Sequence, residues 1–129
     1  MGYKILVVDD EPDVREVLQR KLQREGYTVD CAADGEEALA KVRECDPDVI
    51  LLDLMLPKLN GFEVLRRVRE DFTDRWRPVI IVSAQQDLET TKKCYQMEAD
   101  HYLAKPCGIE HVVGGIKTMI SLMQQRQEQ

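Results

Sequence analysis

Asp48-Val49-Ile50-Leu51-Leu52-Asp53-Leu54-Met55-Leu56-Pro57 is the stretch that decides how the rest of the chain is read. Its apolar run, Val49 to Leu52, is continuous rather than alternating. That pattern suits a strand buried on both faces of a parallel sheet; a half-exposed strand would alternate. Asp53 closes the run, and the Leu-Met-Leu-Pro that follows starts no helix, so this carboxylate is not there as a helix cap.

Working outward, four more runs take the same role: Lys4-Ile5-Leu6-Val7-Val8 and Val79-Ile80-Ile81-Val82, both continuous, then the alternating Tyr27 to Cys31 and the short His101 to Leu103. The last two suit positions nearer a sheet edge. Helical periods lie between and after the runs. Val14, Val17, Leu18 and Leu22 mark the first, with Pro12 in its opening turn and Gly26 as its stop. Ala38, Leu39 and Val42 mark the second. Phe62, Leu65 and Val68 mark the third, with Asn60 as N-cap. Leu88, Thr91 and Tyr95 give a weaker fourth. Ile109, Val112, Val113, Ile116, Ile120 and Met123 give the fifth, interrupted by Gly114-Gly115, each glycine costing roughly 1 kcal/mol relative to Ala. Five strand–helix alternations predict an α/β fold: a doubly wound (βα)5 domain with a parallel sheet, helices on both faces and right-handed crossovers. We assign residues 1–123 to it and read the polar 124–129 as a helix end or the start of a linker.

A chain of 129 residues, 43% hydrophobic and 33% charged, has material for one core and a solvated surface. A net charge of −6 disfavours direct contact with nucleic acid or an anionic membrane. No apolar run is long enough to span a bilayer, and the N-terminus lacks a signal-peptide layout, so the expected setting is the cytoplasm. Cys31, Cys45, Cys94 and Cys107 form no CxxC pair, and His101 and His111 have no partner at ligand spacing. The thiols are expected to be small buried hydrophobes in a reducing compartment.

The acids that stand out are those at strand ends. Asp9 and Asp10 close the first run as Asp53 closes the third. In open parallel sheets, sites form beyond the carboxyl ends of the strands where strand order reverses; if the order is 2-1-3-4-5, strands one and three flank that point and the three acids converge. Clustered carboxylates repel one another unless a cation is present, and an all-oxygen set without His or thiolate selects magnesium over zinc. Asp10 could also serve as a cap for the first helix. Ser83 ends the fourth run. Lys105 follows the fifth and precedes Pro106, at a peptide bond of a type that can be cis.

With these residues in view, the sequence resembles the response-regulator receiver family. The matching text is Ile5-Leu6-Val7-Val8-Asp9-Asp10-Glu11-Pro12, the stretch Asp48–Pro57 with Asn60-Gly61, Pro78-Val79-Ile80-Ile81-Val82-Ser83-Ala84, and Ala99-Asp100-His101-Tyr102-Leu103-Ala104-Lys105-Pro106. The match runs from about Lys4 to Met123. The resemblance implies a flavodoxin-like sheet in the order 2-1-3-4-5. It implies that Asp53 takes a phosphoryl group from a sensor histidine kinase or phosphotransfer protein, and that Asp10, Asp53 and the Met55 carbonyl hold Mg2+, with Asp9 acting through water. Ser83 and Lys105 would hold phosphoryl oxygens, and Tyr102 would be the switch. Met55, Ala84 and Gln85 would tune the phosphoryl lifetime. Such a module controls a downstream protein or output domain through its fourth helix, fifth strand and fifth helix. It modifies itself rather than turning over an external substrate.

The chain departs from the family pattern at three places. Glu98 stands where Gly is usual, Cys107 where an aromatic follows Lys-Pro, and Gly115 where the winged-helix subfamily has Arg. The last leads us to expect a monomer or weak dimer rather than that subfamily's charged dimer. Rival readings fare worse. An Asp-nucleophile phosphatase wants an acid two residues after Asp53, where Met55 stands. A nucleotide or flavin binder wants a glycine-rich phosphate loop, which is missing, and the aromatic content is only 5%. A receiver-like interaction module that is not phosphorylated would have no use for the complete set Asp9, Asp10, Asp53, Ser83 and Lys105.

Overall fold

The computed structural model describes residues 2–85 and 87–127. Along them lie β1 (Lys4–Val8), α1 (Pro12–Arg24), β2 (Thr28–Ala32), α2 (Gly35–Cys45), β3 (Val49–Leu52), α3 (Gly61–Asp71), β4 (Val79–Ser83), α4 (Leu88–Gln96), β5 (His101–Ala104) and α5 (Ile109–Gln127). The sheet order is β2-β1-β3-β4-β5 with every pairing parallel. The alternating second run and the short fifth run form the two edges.

Alternation along each strand divides the core into two layers. Leu6, Val8, Ile50, Leu52 and Ile81 face Ala38, Val42, Val64, Leu65 and Val68 of α2 and α3. Ile5, Val7, Val49, Leu51 and Ile80 face Leu18 and Leu22 of α1 and Val112, Ile116 and Ile120 of α5. Continuous apolar strands are what such a sheet requires, since both faces lose their water. Side-chain caps begin three helices: Asp34, Asn60 and Asp87 accept the N–H groups of Glu37 at 2.8 Å, Glu63 at 3.0 Å and Thr90 at 2.9 Å.

Several expectations need correction. Asp10 does not cap α1; the cap position is Glu11, which makes no side-chain cap bond. Val17 is 57% exposed, at the edge of a groove described below. Leu88 and Tyr95 of α4 are 72% and 46% exposed, and the buried residue of that helix is Cys94. A helix this short buries one narrow line, and the small Cys94 lets it lie close to the sheet. Only Cys94 among the four cysteines is buried, the others being half-buried, and all four are free thiols. The two glycines of α5 are not equivalent: Gly114 is exposed, whereas Gly115 is buried with a Cβ position 3.5 Å from the His101 ring. Helix α5 also runs on through Gln127. Its last turns are tied to the body, with Gln124 donating to the Tyr3 hydroxyl at 3.1 Å and the Arg126 guanidinium 3.7 Å from the Trp76 ring centroid. Glu128 and Gln129 lie outside the described residues.

Candidate phosphorylation site

Register brings the acids together. Val8 lies opposite Leu52 in the β1–β3 pairing, so Asp9 and Asp53, each one residue on, leave the sheet side by side. The ladder continues into both: the Asp53 N–H donates to the Val8 carbonyl at 3.0 Å, and the Asp9 N–H to the Ala32 carbonyl at 3.1 Å. On the other side Ser83 lies opposite Ala104, and Lys105 follows with its N–H on the Ser83 carbonyl at 2.8 Å. The Lys105–Pro106 peptide is cis.

Asp9 and Asp53 are buried, at 4% and 5% exposure, whereas Asp10 faces solvent. One carboxylate oxygen from each of the three lies within 4.8 Å of the others. The Lys105 ammonium bridges two of them, 2.8 Å from Asp9 Oδ2 and 2.9 Å from Asp53 Oδ2. Burial pulls its proton affinity down, but the hydrogen bonds and charges of Asp9 and Asp53 prevail and hold it above the ordinary lysine value. The remaining oxygens accept backbone N–H groups, Asp53 Oδ1 from Met55 and Asp9 Oδ1 from Glu11, both at 3.0 Å. Three carboxylates thus converge around one ammonium, which bridges only two of them. Such an excess of hard oxygen donors, with one carboxylate open to solvent, fits a divalent cation of the magnesium type.

The loop after Asp53 holds this geometry. A Cβ on Gly61 would stand 2.4 Å from the Asp53 carbonyl oxygen, so only glycine lets α3 start this close beneath the acid. Lys58 takes a left-handed backbone, φ 67°, to close the loop.

The remaining sequence-predicted residues surround this centre. Ser83 is fully buried and its Oγ accepts the Gln85 N–H at 3.3 Å. The Tyr102 hydroxyl donates to the Gln85 carbonyl, and burial pushes its pKa up. Met55 is 59% exposed and Ala84 is exposed. Gln85 Oε1 is buried without a hydrogen-bond partner among the described residues. An apolar groove of about 520 Å3 runs from Lys105 between α1 and the start of α5, lined by Val14, Val17, Leu18, Pro106, Cys107 and Ile109 among others. Sequence reasoning passed over Arg15, whose Nη1 donates to the Asp9 carbonyl at 2.7 Å. The surviving signal was weak: a cation on the first turn of a helix that follows two acids.

The fold and the acid cluster together define a (βα)5 module with an acidic centre at the carboxyl ends of β1 and β3. A family model described as the response regulator receiver domain matches residues 5–117. The chain belongs to the response-regulator receiver family of two-component systems. It is 37% identical over 117 residues to the transcriptional regulatory protein TrcR of Mycobacterium tuberculosis, covering 91% of this chain and 45% of that protein. It is 39% identical over 117 residues to the transcriptional regulatory protein ResD of Bacillus subtilis, covering 91% and 48%. The chain therefore spans about half the length of the curated relatives it matches. Among solved structures, the chemotaxis protein CheY4 of Vibrio cholerae superposes with a TM-score of 0.86 at 31% identity, covering 92% of this chain and 99% of that one. A CheY-like receiver domain protein of Methanospirillum hungatei gives a TM-score of 0.88 at 29% identity, covering 100% of both.

Proposed function

We propose that this receiver accepts a phosphoryl group on Asp53 from the phosphohistidine of a sensor kinase or phosphotransfer protein. An Asp53 oxygen bonds to phosphorus as the P–N bond breaks, and the histidine leaves with the bonding pair. The observation that carries this is the shortage of positive charge around Asp53: three converging carboxylates and one bridging ammonium. Magnesium, held by Asp10, Asp53 and the Met55 carbonyl, with Asp9 acting through water, would neutralise charge on the phosphoryl oxygens. Lys105, now shared by two carboxylates, would turn to a phosphoryl oxygen, with the Ser83 hydroxyl on another. Incubation with Mg2+ and a small acyl phosphate should add one phosphoryl mass to Asp53 and lose it on chelation. Full labelling of Asp53→Ala, or labelling undiminished by chelator, would sink the reading.

Output would pass through α4, β5 and α5. Tyr102 already touches the 83–85 segment through Gln85, so movement of Ser83 toward phosphate would reach it directly. Two features support a partner, or an output domain of the same chain, bound by contacts of low polarity: Leu88 and Tyr95 point outward on α4, and no Arg stands at position 115. Activation would then leave a monomer or weak dimer, with no nucleic acid bound by this module itself. The half-buried free thiols fit a reducing cytoplasm. Met55 and Gln85 bring no charge to the path of an attacking water, and Ala84 leaves that path open, so self-hydrolysis would be slow. Asn at 55 with Glu at 85 would shorten the phosphoryl lifetime.

A further inference from the structure

The acid pair at the end of β1 sits on a loop without a helix cap. Helices α2, α3 and α4 each begin on a side chain that accepts an N–H from the first turn; α1 begins on Glu11, which accepts none. The segment Asp9 to Pro12 must nevertheless aim two carboxylates. Asp9 is held at every polar group: its N–H by the Ala32 carbonyl, Oδ1 by the Glu11 N–H, Oδ2 by Lys105, and its carbonyl oxygen by Arg15 Nη1 at 2.7 Å. The Asp10 carboxylate, next in the chain, makes no hydrogen bond among the described residues. Its direction follows from the peptide plane joining it to Asp9, and the oxygen of that plane is the one Arg15 grips. Arg15 itself is half-buried and sits one turn into α1, whose start is fixed by the Arg15 N–H on the Glu11 carbonyl at 3.1 Å.

We infer that Arg15 is a positioning residue of the phosphorylation site: its guanidinium, by fixing the Asp9–Asp10 peptide plane from the first turn of α1, aims Asp10 into the carboxylate cluster. This deepens the divalent-cation reading above and rests on it.

The sign of the effect separates positioning from simple charge. Arg15 is a cation near the place where another cation would bind, so if charge were its only contribution, removing it would tighten metal binding. If it aims Asp10, removing it loosens metal binding. Arg15→Met keeps the apolar stem on α1 and deletes the donor; Arg15→Lys keeps a charged donor. Mg2+ affinity measured by calorimetry on the intact, unphosphorylated chain should fall roughly tenfold in Arg15→Met, about the effect of one charge-assisted hydrogen bond. Arg15→Lys should recover most of it. In acyl-phosphate labelling, the Mg2+ concentration for half-maximal rate should rise in Arg15→Met while the rate at saturating Mg2+ changes less.

Hydrogen exchange without metal gives a second readout. The Asp10 and Glu11 amides should exchange faster in Arg15→Met, with β1 and the interior of α1 unchanged. Equal or tighter Mg2+ binding in Arg15→Met, or unaltered exchange at those two amides, would overturn the assignment. Absence of saturable Mg2+ binding in the unsubstituted chain would refute the metal reading instead, and the exchange measurement would still decide whether Arg15 holds the loop.

Discussion

The two ends of the sheet carry comparable numbers of carboxylates and treat them in opposite ways. At the carboxyl ends of the strands, Asp9 and Asp53 share the Lys105 ammonium while Asp10, close by, has no ion-pair partner among the described residues. At the amino ends, nearly every acid has an arginine. Arg77, 3% exposed, contacts Asp46 and Asp74. Arg75 contacts Asp46 and Asp48. Arg69 lies 2.6 Å from Asp100, which also accepts the Trp76 indole N–H at 3.1 Å and the Val79 N–H at 2.8 Å. Matched charges hold loops to strands, although the buried Arg77 Nε has no hydrogen-bond partner among the described residues. Charges left short of partners keep an affinity for something the chain does not contain. The base is built for stability, and the top forgoes stability by leaving its carboxylates short of positive charge.

The comparison predicts opposite signs for charge removal at the two ends. The largest effect belongs to the base. Arg77→Met should lower stability by about 2 kcal/mol, the range for losing a buried hydrogen-bonded group. Breaking a fully buried pair would cost more, but Asp46 and Asp74 return to water when released, their side chains being 60% and 63% exposed. Acyl-phosphate labelling of Asp53 should be unchanged. Urea unfolding together with a labelling assay checks both; lost labelling in a folded variant would mean that the ends are coupled.

At the top, Asp10→Asn should act the other way. Removing one of three mutually repelling carboxylates should stabilise the metal-free chain by about 0.5–1 kcal/mol, since the group is exposed and water screens part of the repulsion. Mg2+ should raise the melting temperature of the unsubstituted chain, and the same change should abolish that rise. A destabilised metal-free Asp10→Asn would show that the top is not short of positive charge.

Acid titration sharpens the contrast further. The hydrogen bonds from Arg77 and then Arg75 hold the Asp46 carboxyl below its ordinary value of 3.8. A carboxyl depressed in the folded state contributes stability that is present above 3.8 and is lost as pH falls through its folded value. Arg77→Met should therefore remove part of the stability lost below about pH 4 and flatten the acid limb. Lys105 has the opposite sense. Its pKa is raised, so its contribution is full below 10.5 and fades only in strong alkali, leaving the neutral range flat.

How legible these ends were in the sequence differs for a physical reason. The top was readable because Asp9 and Asp53 close buried apolar runs while Ser83 ends a third and Lys105 follows a fourth, and that conjunction has few structural explanations. Asp10 was readable as a neighbour of Asp9, though its part as a cap was not borne out. The base went unread. Asp46, Arg75 and Arg77 sit in loops on separate crossovers, and no periodicity links partners some 30 residues apart. A density of Arg and Asp in the segments Asp46–Asp48 and Asp74–Arg77, each just before a buried strand, was the available signal. Helix α4 was misread because its exposed Leu88 and Tyr95 are large and set the apparent period, whereas the Cys94 it buries is small.

The smallest effect tests how the base tolerates a local conflict. Glu98 occupies a left-handed turn, φ 69°, where an L side chain is strained by about 1 kcal/mol. The turn nonetheless forms, because Arg69 Nε and Nη2 grip the Glu98 carbonyl at 3.0 and 2.8 Å while the same guanidinium holds Asp100. Glu98→Gly relieves the strain but enlarges the unfolded ensemble by a comparable 0.5–1 kcal/mol, roughly, so the net change should stay within about 0.5 kcal/mol. In an Arg69→Met background the grip is gone, and the turn must hold by local preference alone. Glu98 can then leave the left-handed turn and shed its strain, so Glu98→Gly keeps only its unfolded-state cost and should there become destabilising, giving a coupling of about 0.5–1 kcal/mol in a double-mutant cycle read by urea unfolding. Additive changes would mean that Arg69 does not hold the turn, and that the charge matching at the base secures the strand ends without reaching the backbone of the loops.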